Sequence, residues 1–598
     1  MSVSAPQISV KSPSSPYDKC LDSGVRLGEW KYDDTAEILE KLETILGVDN
    51  VSADPKDNKH YRKGWRSGEG SALAVLFPKN LSSLWQAIKC CVAYDCIIIM
   101  QAANTGLTEG STPNNNDYDR PVVVINTLAL NDVYLINEGY QVVCHPGATL
   151  HKLESMLADI GRTPHSVIGS SCLGASVIGG IANNSGGALV KRGPAYTECA
   201  LFAQINDQGQ LLLSNHLGLD LGDDPDAIIQ NLSIGNFDSA SNDQGSRLSC
   251  DTQYTARIRD ITSDTPSRYN ANPDRLFEAS GCAGKLAIFA VRVDSHKKPQ
   301  AEKTFYIGTN DPAELTQLRR SMLSDLHSLP DVAEYMHKDI FEVSEKYGKD
   351  TFLSVKYLGT QRLPKLFALK SRIDSALNDI HWLPNDLSDK SMQMLSRLLP
   401  QHLPPRLLKY KDKYEHHLIL KVSDDAIAPT SEFLVNFFAD SSNGDYFECD
   451  AAEAQGAVLN RFAAAGAALR FQLLNKKRCG DILALDIALK RSEQDWFEHL
   501  PPDIDAMIEK KLYYGHFFCY VFHQDYILKA SADAKLVKQE MLKLLDNRGA
   551  KYPAEHNVGH LYSAETELQQ FYQTLDPTNT FNPGVGKMDK TKRNCGCC

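Results

Sequence analysis

Short apolar runs and amphipathic stretches alternate along the first half of the chain. Apolar, β-branched runs bounded by turn residues predict strands, and apolar residues repeated every three to four positions predict helices. The predicted strands are Ala72–Phe77, Cys96–Met100, Val122–Asn126 and Gln141–His145, and the predicted helices are Asn80–Tyr94 and Thr149–Ile160. This mixture indicates an α+β architecture with mixed sheets.

The length and composition of the chain indicate a multidomain globular protein. At 598 residues it is too long for one hydrophobic core, so we expect two or more domains. No stretch approaches about eighteen uncharged apolar residues, so we expect no membrane-spanning helix. Residues 1–27 are rich in serine and proline and lack an apolar run, which predicts a disordered tail and not a signal peptide.

The charge distribution changes after the middle of the chain. Between positions 356 and 414 there are eleven basic and five acidic residues, so this segment carries +6 while the whole chain carries −12. Leucines and a tryptophan are interleaved with the charges, a pattern typical of surfaces that bind anionic membranes. A solvated helical face packed on another domain would have the same composition. The remaining −18 would repel a polyanion, so we expect no nucleic-acid partner.

Two glycine-rich segments carry the strongest functional signal. Residues 101–112 follow an apolar run, and residues 167–187 contain six glycines and two adjacent asparagines but no charge or proline. Glycine lets the backbone approach a flat ligand, while free N–H groups and hydroxyls bind phosphate and ring oxygens. The two segments predict a dinucleotide held between two lobes. A nicotinamide cofactor is disfavoured, because Gly68–Leu73 lacks the third glycine of GxGxxG and its strand–helix context.

With Pro146-Gly147 and the Gly179-Gly180 pair that leads to Asn183–Gly187, these segments resemble the FAD-binding domain of the vanillyl-alcohol oxidase / p-cresol methylhydroxylase (PCMH) superfamily. The resemblance implies a two-subdomain PCMH-type FAD-binding domain followed by an α+β cap domain. The cofactor-binding residues it implies are Ala102, Ala103, Asn104, Thr105, Gly106, Gly110, Ser111, Gly169, Ser176, Gly186 and Ile288. Covalently flavinylated relatives carry a histidine in the phosphate loop; this loop has none, so we expect non-covalent FAD.

Longer segments resemble the respiratory, quinone-linked D-lactate dehydrogenases of bacteria. They are Phe77–Trp85, SGCAGKLAIFAVRV from Ser280, YYGHFFCYVFHQDY from Tyr513 and AEHNVGH from Ala554, and the resemblance spans roughly residues 45 to 590. It implies oxidation of D-lactate to pyruvate, with electrons passed to a membrane quinone at the cytoplasmic face of the inner membrane. It also favours peripheral attachment to an anionic lipid surface as the role of the basic segment.

The resemblance and the composition together divide the chain into four parts. These are a disordered tail at 1–27, a PCMH-type FAD-binding domain at 28–296, a cap or substrate domain at 297–590 with a membrane-binding segment at about 330–425, and a flexible, cysteine-rich tail at 591–598. The other cysteines show no metal-finger spacing, and those in apolar surroundings are typical of buried, reduced thiols in a cytosolic protein.

The chain has 17 histidines, and its C-terminal quarter holds a dense group of them. His516 and His523 are seven residues apart, which brings them together on one helix face or across a hairpin, and Glu555-His556 follows. D-2-hydroxy-acid dehydrogenases of the superfamily resemble this arrangement, which implies His516, His523 and Glu555 as ligands of a divalent metal (Zn, Fe or Mn) and His556 as the base. The segment between the histidines is aromatic here instead of a Gly/Asp/Asn-rich turn, so two core histidines without a metal are an equal alternative.

Oxidation of a hydroxy acid needs a base, a hydride acceptor and a cation that binds the substrate carboxylate. His556, as an imidazole with an ordinary pKa of about 6.5, suits the first role. For the cation the sequence offers Arg491 and Lys490, with Arg461 and Arg470 as further choices, and a guanidinium is favoured because it binds a carboxylate with two hydrogen bonds. Two other functions remain open: a soluble D-2-hydroxy-acid dehydrogenase with another acceptor, and a non-catalytic flavin-binding electron-transfer module.

Overall fold

The computed structural model describes residues 15–165, 174–359 and 387–593. Gly169 therefore lies outside the described residues, as do positions 360–386 of the basic segment, which include Lys365 and Lys370. Within the described residues, helices and sheets combine in an α+β architecture, as the sequence predicts.

The first half of the chain contains two main sheets. Its strands are β1 (Lys19–Arg26), β2 (Val51–Ser52), β3 (Ala74–Leu76), β4 (Ile97–Gln101), β5 (Val122–Asn126), β6 (Val133–Ile136), β7 (Gln141–Cys144), β8 (Arg162–Thr163), β9 (Ala200–Ile205), β10 (Gln210–Asn215), β11 (Ala287–Asp294) and β12 (His296–Lys297). Its helices are α1 (Thr35–Leu46), α2 (Leu81–Ala93), α3 (Leu150–Ala158), α4 (Val177–Ala182), α5 (Pro225–Ser233) and α6 (Tyr254–Arg259).

The smaller of these sheets has four strands in the order β2-β3-β5-β4, of which β3, β5 and β4 run parallel. The larger has six antiparallel strands in the order β1-β10-β9-β11-β7-β6. Each predicted strand and helix of this half overlaps an observed one, with ends that agree within two residues. Strand β5 is buried along its whole length, which explains its continuous apolar run, and α2 begins after Asn80, which forms a capping box with Ser83.

Strand β1 corrects one prediction. The sequence predicts a disordered tail through residue 27, but residues 19–26 pair with β10 at the edge of the six-stranded sheet. Alternate residues of β1 are partly buried, and Leu21 and Val25 pack against the core. This alternation is the ordinary pattern of a half-buried strand, and the serine- and proline-rich residues that precede it obscured the signal.

The second half is built on one antiparallel sheet. Its strands are β13 (Glu302–Thr309), β14 (Val332–His337), β15 (His416–Ser423), β16 (Gly444–Glu448), β17 (Cys479–Ala488), β18 (Ile508–His516) and β19 (Val521–Lys529). Its helices are α7 (Pro312–Asp325), α8 (Lys338–Tyr347), α9 (Lys349–Leu358), α10 (Leu387–Leu398), α11 (Pro405–Lys413), α12 (Ile427–Phe438), α13 (Ala451–Leu474), α14 (Pro502–Asp505), α15 (Ala534–Asn547) and α16 (Thr566–Leu575). The seven strands lie in the order β16-β13-β15-β14-β18-β19-β17.

Helices cover both faces of the seven-stranded sheet. Helices α8, α9, α11 and α13 share a core with one face, and α7, α12 and α15 share a core with the other. Residues that alternate along a strand point to opposite faces, so Tyr514 and His516 lie on the α13 side of β18. The sheet therefore presents the two predicted histidines under the helical layer that contains α13.

After Ala554 the chain returns to the first half of the molecule. Ile98 N donates to Thr580 O (3.0 Å) and Asn582 N donates to Ile98 O (3.0 Å), so this segment adds to the free edge of β4. Leu568 and Tyr572 of α16 pack in one core with α3 and α4. The predicted domain boundaries stay predictions, and residues 554–560 form the crossing between the two halves.

Candidate active site

The two glycine-rich segments lie side by side. A Cβ added at Gly174 would lie 3.9 Å from Cβ of Ala103, and one added at Gly110 would lie 4.0 Å from Oδ1 of Asn183. Residues 102–111 and 174–187 are therefore termed the cofactor cradle. Ser111 donates to Oδ1 of Asn104 (2.9 Å) and so ties the two ends of the first segment together. The cradle has the small side chains and close backbone approach that a flat cofactor requires.

The predicted cofactor-binding residues have different environments. Gly106 is exposed, and a Cβ added there would meet no heavy atom within 4 Å, so its backbone is open to a ligand. Ala102, Ala103 and Thr105 are half-buried around it. Ser176 caps α4 by accepting from Gly179 N (3.0 Å), and Ile288 is in the core. The loop that contains Gly106 thus fits the predicted contact with FAD, whereas Ser176 and Ile288 have structural roles of their own.

Gly186 packs against the other half of the molecule. A Cβ added there would lie 1.9 Å from Oε1 of Glu555. Glu555 forms an ion pair with Arg268, with 2.6 Å between Oε1 and Nε, and both side chains are only 1% exposed. The structure therefore explains this glycine by the close approach of a buried carboxylate, at the junction between the cradle and the crossing segment.

His556 lies in the crossing segment next to the cofactor cradle. Oγ1 of Thr108 donates to the carbonyl oxygen of His556 (3.2 Å), and N of His560 donates to the carbonyl oxygen of Thr108 (2.9 Å). His556 has a φ of 73°, in the left-handed region that residues other than glycine rarely adopt. Strained residues of this kind concentrate at active sites. The structure places the predicted base against the loop predicted to bind phosphate.

Neighbouring strands bring two histidines and two carboxylates together. His516 of β18 pairs with Glu334 of β14, and His523 of β19 pairs with Asp486 of β17. The two Nε2 atoms are 3.4 Å apart, His523 Nδ1 lies 3.1 Å from Asp486 Oδ1, and His516 Nδ1 bonds to Glu334. Nε of Arg461, from α13, lies 2.7 Å from Oε2 of Glu334. These five residues are termed the histidine cluster.

Asp486 connects the histidine cluster to the segment that carries the predicted base. Its Oδ2 accepts from N of Glu555 (2.8 Å), and its carbonyl oxygen accepts from N of Ala554 (3.0 Å). Asp486 therefore contacts both the ring of His523 and the backbone one residue before His556. A carboxylate on Nδ1 fixes the tautomer and orientation of an imidazole, so Asp486 sets the direction of His523 and the position of His556 together.

Burial and nearby charges set the protonation of the site. Burial lowers the pKa of His556, and the carboxylate of Asp486 opposes that shift. Burial acts in the same way on His523, but its hydrogen bond to Asp486 and the charge of that carboxylate together outweigh it, and the pKa is raised. Burial acts to raise the pKa of Glu334, but the charge of Arg461 together with the charge and hydrogen bond of His516 outweighs it and lowers the pKa to about 2. His556 is therefore neutral near neutral pH, the form that accepts a proton.

The three predicted metal ligands do not form one set. Nε2 of His516 and Nε2 of His523 face each other, as two ligands of one ion would, but the carboxylate of Glu555 is held by Arg268. Across residues 15–165, 174–359 and 387–593, no group of three His, Cys, Asp or Glu side chains is arranged to hold a metal. The donors present do not fit a three-ligand metal site. The metal stays a prediction and has no part in the proposed reaction.

The predicted cations Arg491 and Lys490 contact other parts of the molecule. Arg491 donates from Nε to Thr265 O (3.0 Å) and from Nη1 to Arg257 O (2.6 Å), and its Nη2 donates to two hydroxyls of the same loop. Lys490 packs against Gly549. Because every nitrogen of the Arg491 guanidinium is engaged by residues 257–265, this placement does not support binding of a substrate carboxylate.

Sequence reasoning missed several charged residues of the site. Arg66 is exposed, and its charge contributes, after the dominant effect of burial, to the pKa shifts of His556 and Asp525, so it lies near both. Asp486 had a signal: it is one acidic residue inside the apolar run Ile482–Leu489, and a buried carboxylate needs a partner. The sequence contains no comparable signal for Arg66, because the residues around it have the composition of an ordinary turn.

The fold and the cradle together define the class of protein. Solved structures with a similar fold include 4-ethylphenol oxidase from Gulosibacter chungangensis (TM-score 0.54, 12% identity, covering 95% of this chain and 99% of that chain) and p-cresol methylhydroxylase (TM-score 0.54, 11% identity, covering 96% and 99%). At these identities the likeness shows the fold alone. The sequence model described as "FAD binding domain" matches residues 72–212, so the chain contains an FAD-binding domain of this fold.

Sequence comparisons then define the family. A protein of Escherichia coli (strain K12) named quinone-dependent D-lactate dehydrogenase is 54% identical over 559 residues, which cover 94% of this chain and 98% of that protein. Proteins of the same name from Haemophilus influenzae and Corynebacterium glutamicum are 53% and 41% identical, covering 93% and 92% of this chain and 99% and 96% of theirs. The sequence model described as "D-lactate dehydrogenase, membrane binding" matches residues 304–594. The chain belongs to the family of quinone-dependent D-lactate dehydrogenases.

The predicted membrane-binding segment lies within this matched region. Lys409 and Lys413 of α11 are exposed, whereas Lys411 is partly buried and paired with Glu345 (3.2 Å). Helix α10 adds exposed apolar side chains, among them Leu398, which is 79% exposed. Among the described residues, none of the helices is both long and apolar enough to cross a membrane.

Proposed function

We propose that this protein oxidises D-lactate to pyruvate and passes the electrons through FAD to a membrane quinone. The observation that carries the proposal is the position of His556, whose carbonyl oxygen accepts from Thr108 of the cofactor cradle and which directly follows Glu555, whose N donates to Asp486 of the histidine cluster. Relatives that cover nearly the whole chain carry the name of this reaction.

His556 accepts the proton of the substrate hydroxyl. Burial lowers its pKa, so the imidazole is neutral near neutral pH and its ring can act as a base. FAD bound in the cradle would accept the hydride from the carbon that carries this hydroxyl. Loss of one proton and one hydride from the alcohol leaves the ketone of pyruvate, so His556 must lie on the face of the cradle where the substrate carbon meets the cofactor.

Arg66 binds the substrate carboxylate in this proposal, in place of Arg491. Its guanidinium is exposed, lies near His556 and Asp525, and can bind a carboxylate with two hydrogen bonds. Arg461 is less suited to the role, because it is already paired with Glu334 at 2.7 Å. A carboxylate bound by this exposed cation would leave the substrate hydroxyl free to reach His556.

The histidine cluster orients the substrate without removing the proton. The raised pKa of His523 favours a ring that donates from both nitrogens, whereas burial lowers the pKa of His516 and favours a ring with one acceptor nitrogen. The Nε2 atoms of this pair face each other 3.4 Å apart as donor and acceptor, and a substrate oxygen that entered between them would replace this bond with one to each ring. Hydrogen bonds of this kind hold a hydroxy acid in one orientation.

The site operates at the cytoplasmic face of the membrane, to which the protein is attached peripherally. The support is the match of residues 304–594 to a membrane-binding family together with the exposed lysines of α11 and apolar residues of α10. Cations contribute about 1 kcal/mol each near an anionic lipid surface. Anionic phospholipid is therefore the expected partner of this surface.

Anaerobic mixing with D-lactate tests the proposed reaction. The absorbance of the oxidised flavin should disappear while pyruvate forms in equal amount, L-lactate should react far more slowly, and added quinone should restore the colour. Bleaching by a different D-2-hydroxy acid but not by D-lactate would support the other kind of dehydrogenase. A flavin that none of these acids reduces would support the non-catalytic electron-transfer module.

A further inference from the structure

One face of α13 is apolar and exposed. Val458, Phe462 and Leu469 are 49%, 37% and 46% exposed. Their spacing of four and seven residues places them, with Gly466, on a single face of the helix. A Cβ added at Gly466 would meet no heavy atom within 4 Å. Val458, Phe462, Gly466 and Leu469 are termed the α13 stripe.

The opposite face of α13 is apolar too. Ala457, Ala464 and Ala468 are buried there, in the core shared with α8 and the seven-stranded sheet. A helix that is apolar on all sides is ordinarily buried on all sides, but the α13 stripe is not covered by any of the residues that the structure describes. Contiguous exposed apolar surface of this kind marks a place where another molecule binds.

The charges of α13 are turned away from the stripe. After Glu453, the charged residues of the helix are Arg461 and Arg470. Arg461 lies with its Nε 2.7 Å from Glu334, and Nε of Arg470 lies 3.5 Å from Asp389 of α10. Since both guanidinium groups are in ion pairs, the stripe between them offers no free charge. Such a surface favours an uncharged, apolar binding partner.

The α13 stripe joins the active site to the membrane-binding region. On one side, Arg461 connects α13 to Glu334 and through it to His516 of the histidine cluster. On the other side, α13 packs against α9 and α10, where Tyr357 and Leu398 are 73% and 79% exposed. The whole of α13 lies within the residues matched by the membrane-binding family. The helix that carries the stripe thus contacts both the histidine cluster and the helices α9 and α10 with exposed apolar side chains.

From this geometry we infer that the α13 stripe is the surface on which the membrane quinone docks to accept electrons from the reduced cofactor. The inference rests on the proposed function, which takes a quinone as the electron acceptor. Two electrons and two protons pass from reduced FAD to the quinone, which leaves as the quinol while FAD returns to its oxidised form. An uncharged ring with an apolar tail matches a surface without free charge, whereas an anionic headgroup would select the lysines of α11.

A triple variant, V458Q, F462Q and L469Q, tests this surface. Glutamine keeps a high helix propensity while removing the apolar contact, and F462Q and F462L alone provide milder changes if the triple variant folds poorly. Val435→Gln is the matched control, because Val435 is 58% exposed on α12, which packs on the other face of the sheet. Flavin is first photoreduced without D-lactate, and its reoxidation is followed with a short-chain benzoquinone in phospholipid vesicles and with dichlorophenolindophenol in solution.

The triple variant should slow reoxidation by the quinone at least about tenfold, since three apolar contacts are lost. Reoxidation by the dye, vesicle binding and the V435Q control should stay within about twofold of wild type, as for ordinary surface substitutions, and F462L should resemble wild type. Normal quinone reoxidation in the variants, or an equal loss with the dye or of vesicle binding, would overturn the inference. Because photoreduction needs no substrate, a failure of D-lactate to reduce the flavin tests the proposed function separately.

Discussion

The cofactor cradle and the histidine cluster are built in opposite ways. The cradle consists of two continuous segments, residues 102–111 and 174–187, in which small residues leave the backbone accessible. The histidine cluster takes single side chains from four strands and a helix, between positions 334 and 523 of the chain. Backbone groups are suited to binding a cofactor that many enzymes share, whereas converging side chains are suited to the chemistry of one particular reaction. Substitutions should therefore separate cofactor binding in the first region from chemistry in the second.

The two regions also differ in how their charges are compensated. Residues 174–187 of the cradle carry no charge, so a change there alters shape alone. In the histidine cluster each carboxylate is paired, Glu334 with Arg461 and Asp486 with His523. Removing one partner of a buried charge pair leaves the other uncompensated and is costly. Effects within the cluster should thus extend to neighbouring side chains, whereas effects at Gly106 of the cradle, where an added Cβ would meet no protein atom within 4 Å, should stay local.

The largest expected effect is that of His556→Ala. Loss of a positioned base lowers the rate of flavin reduction by D-lactate about a hundredfold or more, while FAD content stays normal because the cradle is unchanged. Stopped-flow absorbance and flavin content measure the two quantities. His499→Ala is the control, since the His499 side chain is 75% exposed. A His556→Ala enzyme with a normal rate would remove the base from this position.

Asp486→Asn should come next, with flavin reduction slowed roughly tenfold to a hundredfold, as is usual when a group that orients a catalytic imidazole is altered. The amide keeps the shape of the carboxylate but weakens its contact with His523 and with N of Glu555 (2.8 Å). Glu334→Gln is the matched comparison, because Glu334 bonds to the other histidine of the cluster, His516, whereas the hydrogen bond from N of Glu555 goes to Asp486. The rate of flavin reduction is measured against pH for both variants. A pH dependence that changes in Asp486→Asn but not in Glu334→Gln indicates that the orientation of His523 is lost, and not the structure in general. Equal effects of both variants would contradict the special place of Asp486.

Gly106→Val should weaken FAD binding about tenfold, because a side chain forced into a packed contact costs about 1–3 kcal/mol. The thermal midpoint of the apoprotein should not change, since no protein atom lies within 4 Å of the added Cβ. Gly186→Val should instead lower the thermal midpoint of the apoprotein, because its Cβ would lie 1.9 Å from Glu555. Flavin titration and thermal unfolding of both apoproteins test this contrast. Unchanged FAD affinity in Gly106→Val would place the cofactor elsewhere.

The smallest effect concerns a third region, the membrane-facing helices. Lys409→Gln removes one exposed cation from α11 and should weaken binding to anionic vesicles roughly fivefold, about 1 kcal/mol for one cation. Added salt should shrink the difference, because exposed charges are screened over about 8 Å at physiological ionic strength. Lys535→Gln on α15 is the control, and turnover with a dye acceptor should stay normal. A salt-independent loss of binding would point to apolar insertion and not to charge.

Local sequence patterns predicted the first half of the molecule well. The run Val122–Asn126 became β5 without change, because a buried parallel strand needs apolar residues on both faces. The pattern failed at β1, where the half-buried alternation of residues 19–26 is short and adjoins a tail of disordered composition. The seven-residue step from His516 to His523 left a helix and a hairpin open, and the structure shows the β18–β19 hairpin, which turns at Tyr520 with a φ of 52°.

The sequence by itself predicted the cofactor cradle and His556 as the base, because the glycine-rich segments and the Glu555-His556 pair are local features whose chemistry depends on residues next to one another. Only the tertiary structure decided which charged residues join the two histidines His516 and His523. Glu334 and Asp486 reach the two histidines through strand pairing, Arg461 arrives on a helix, and Arg491 is drawn away by a loop more than two hundred residues earlier in the chain. Pairing between distant strands follows from the packing of the whole sheet, so no local pattern could have named these partners.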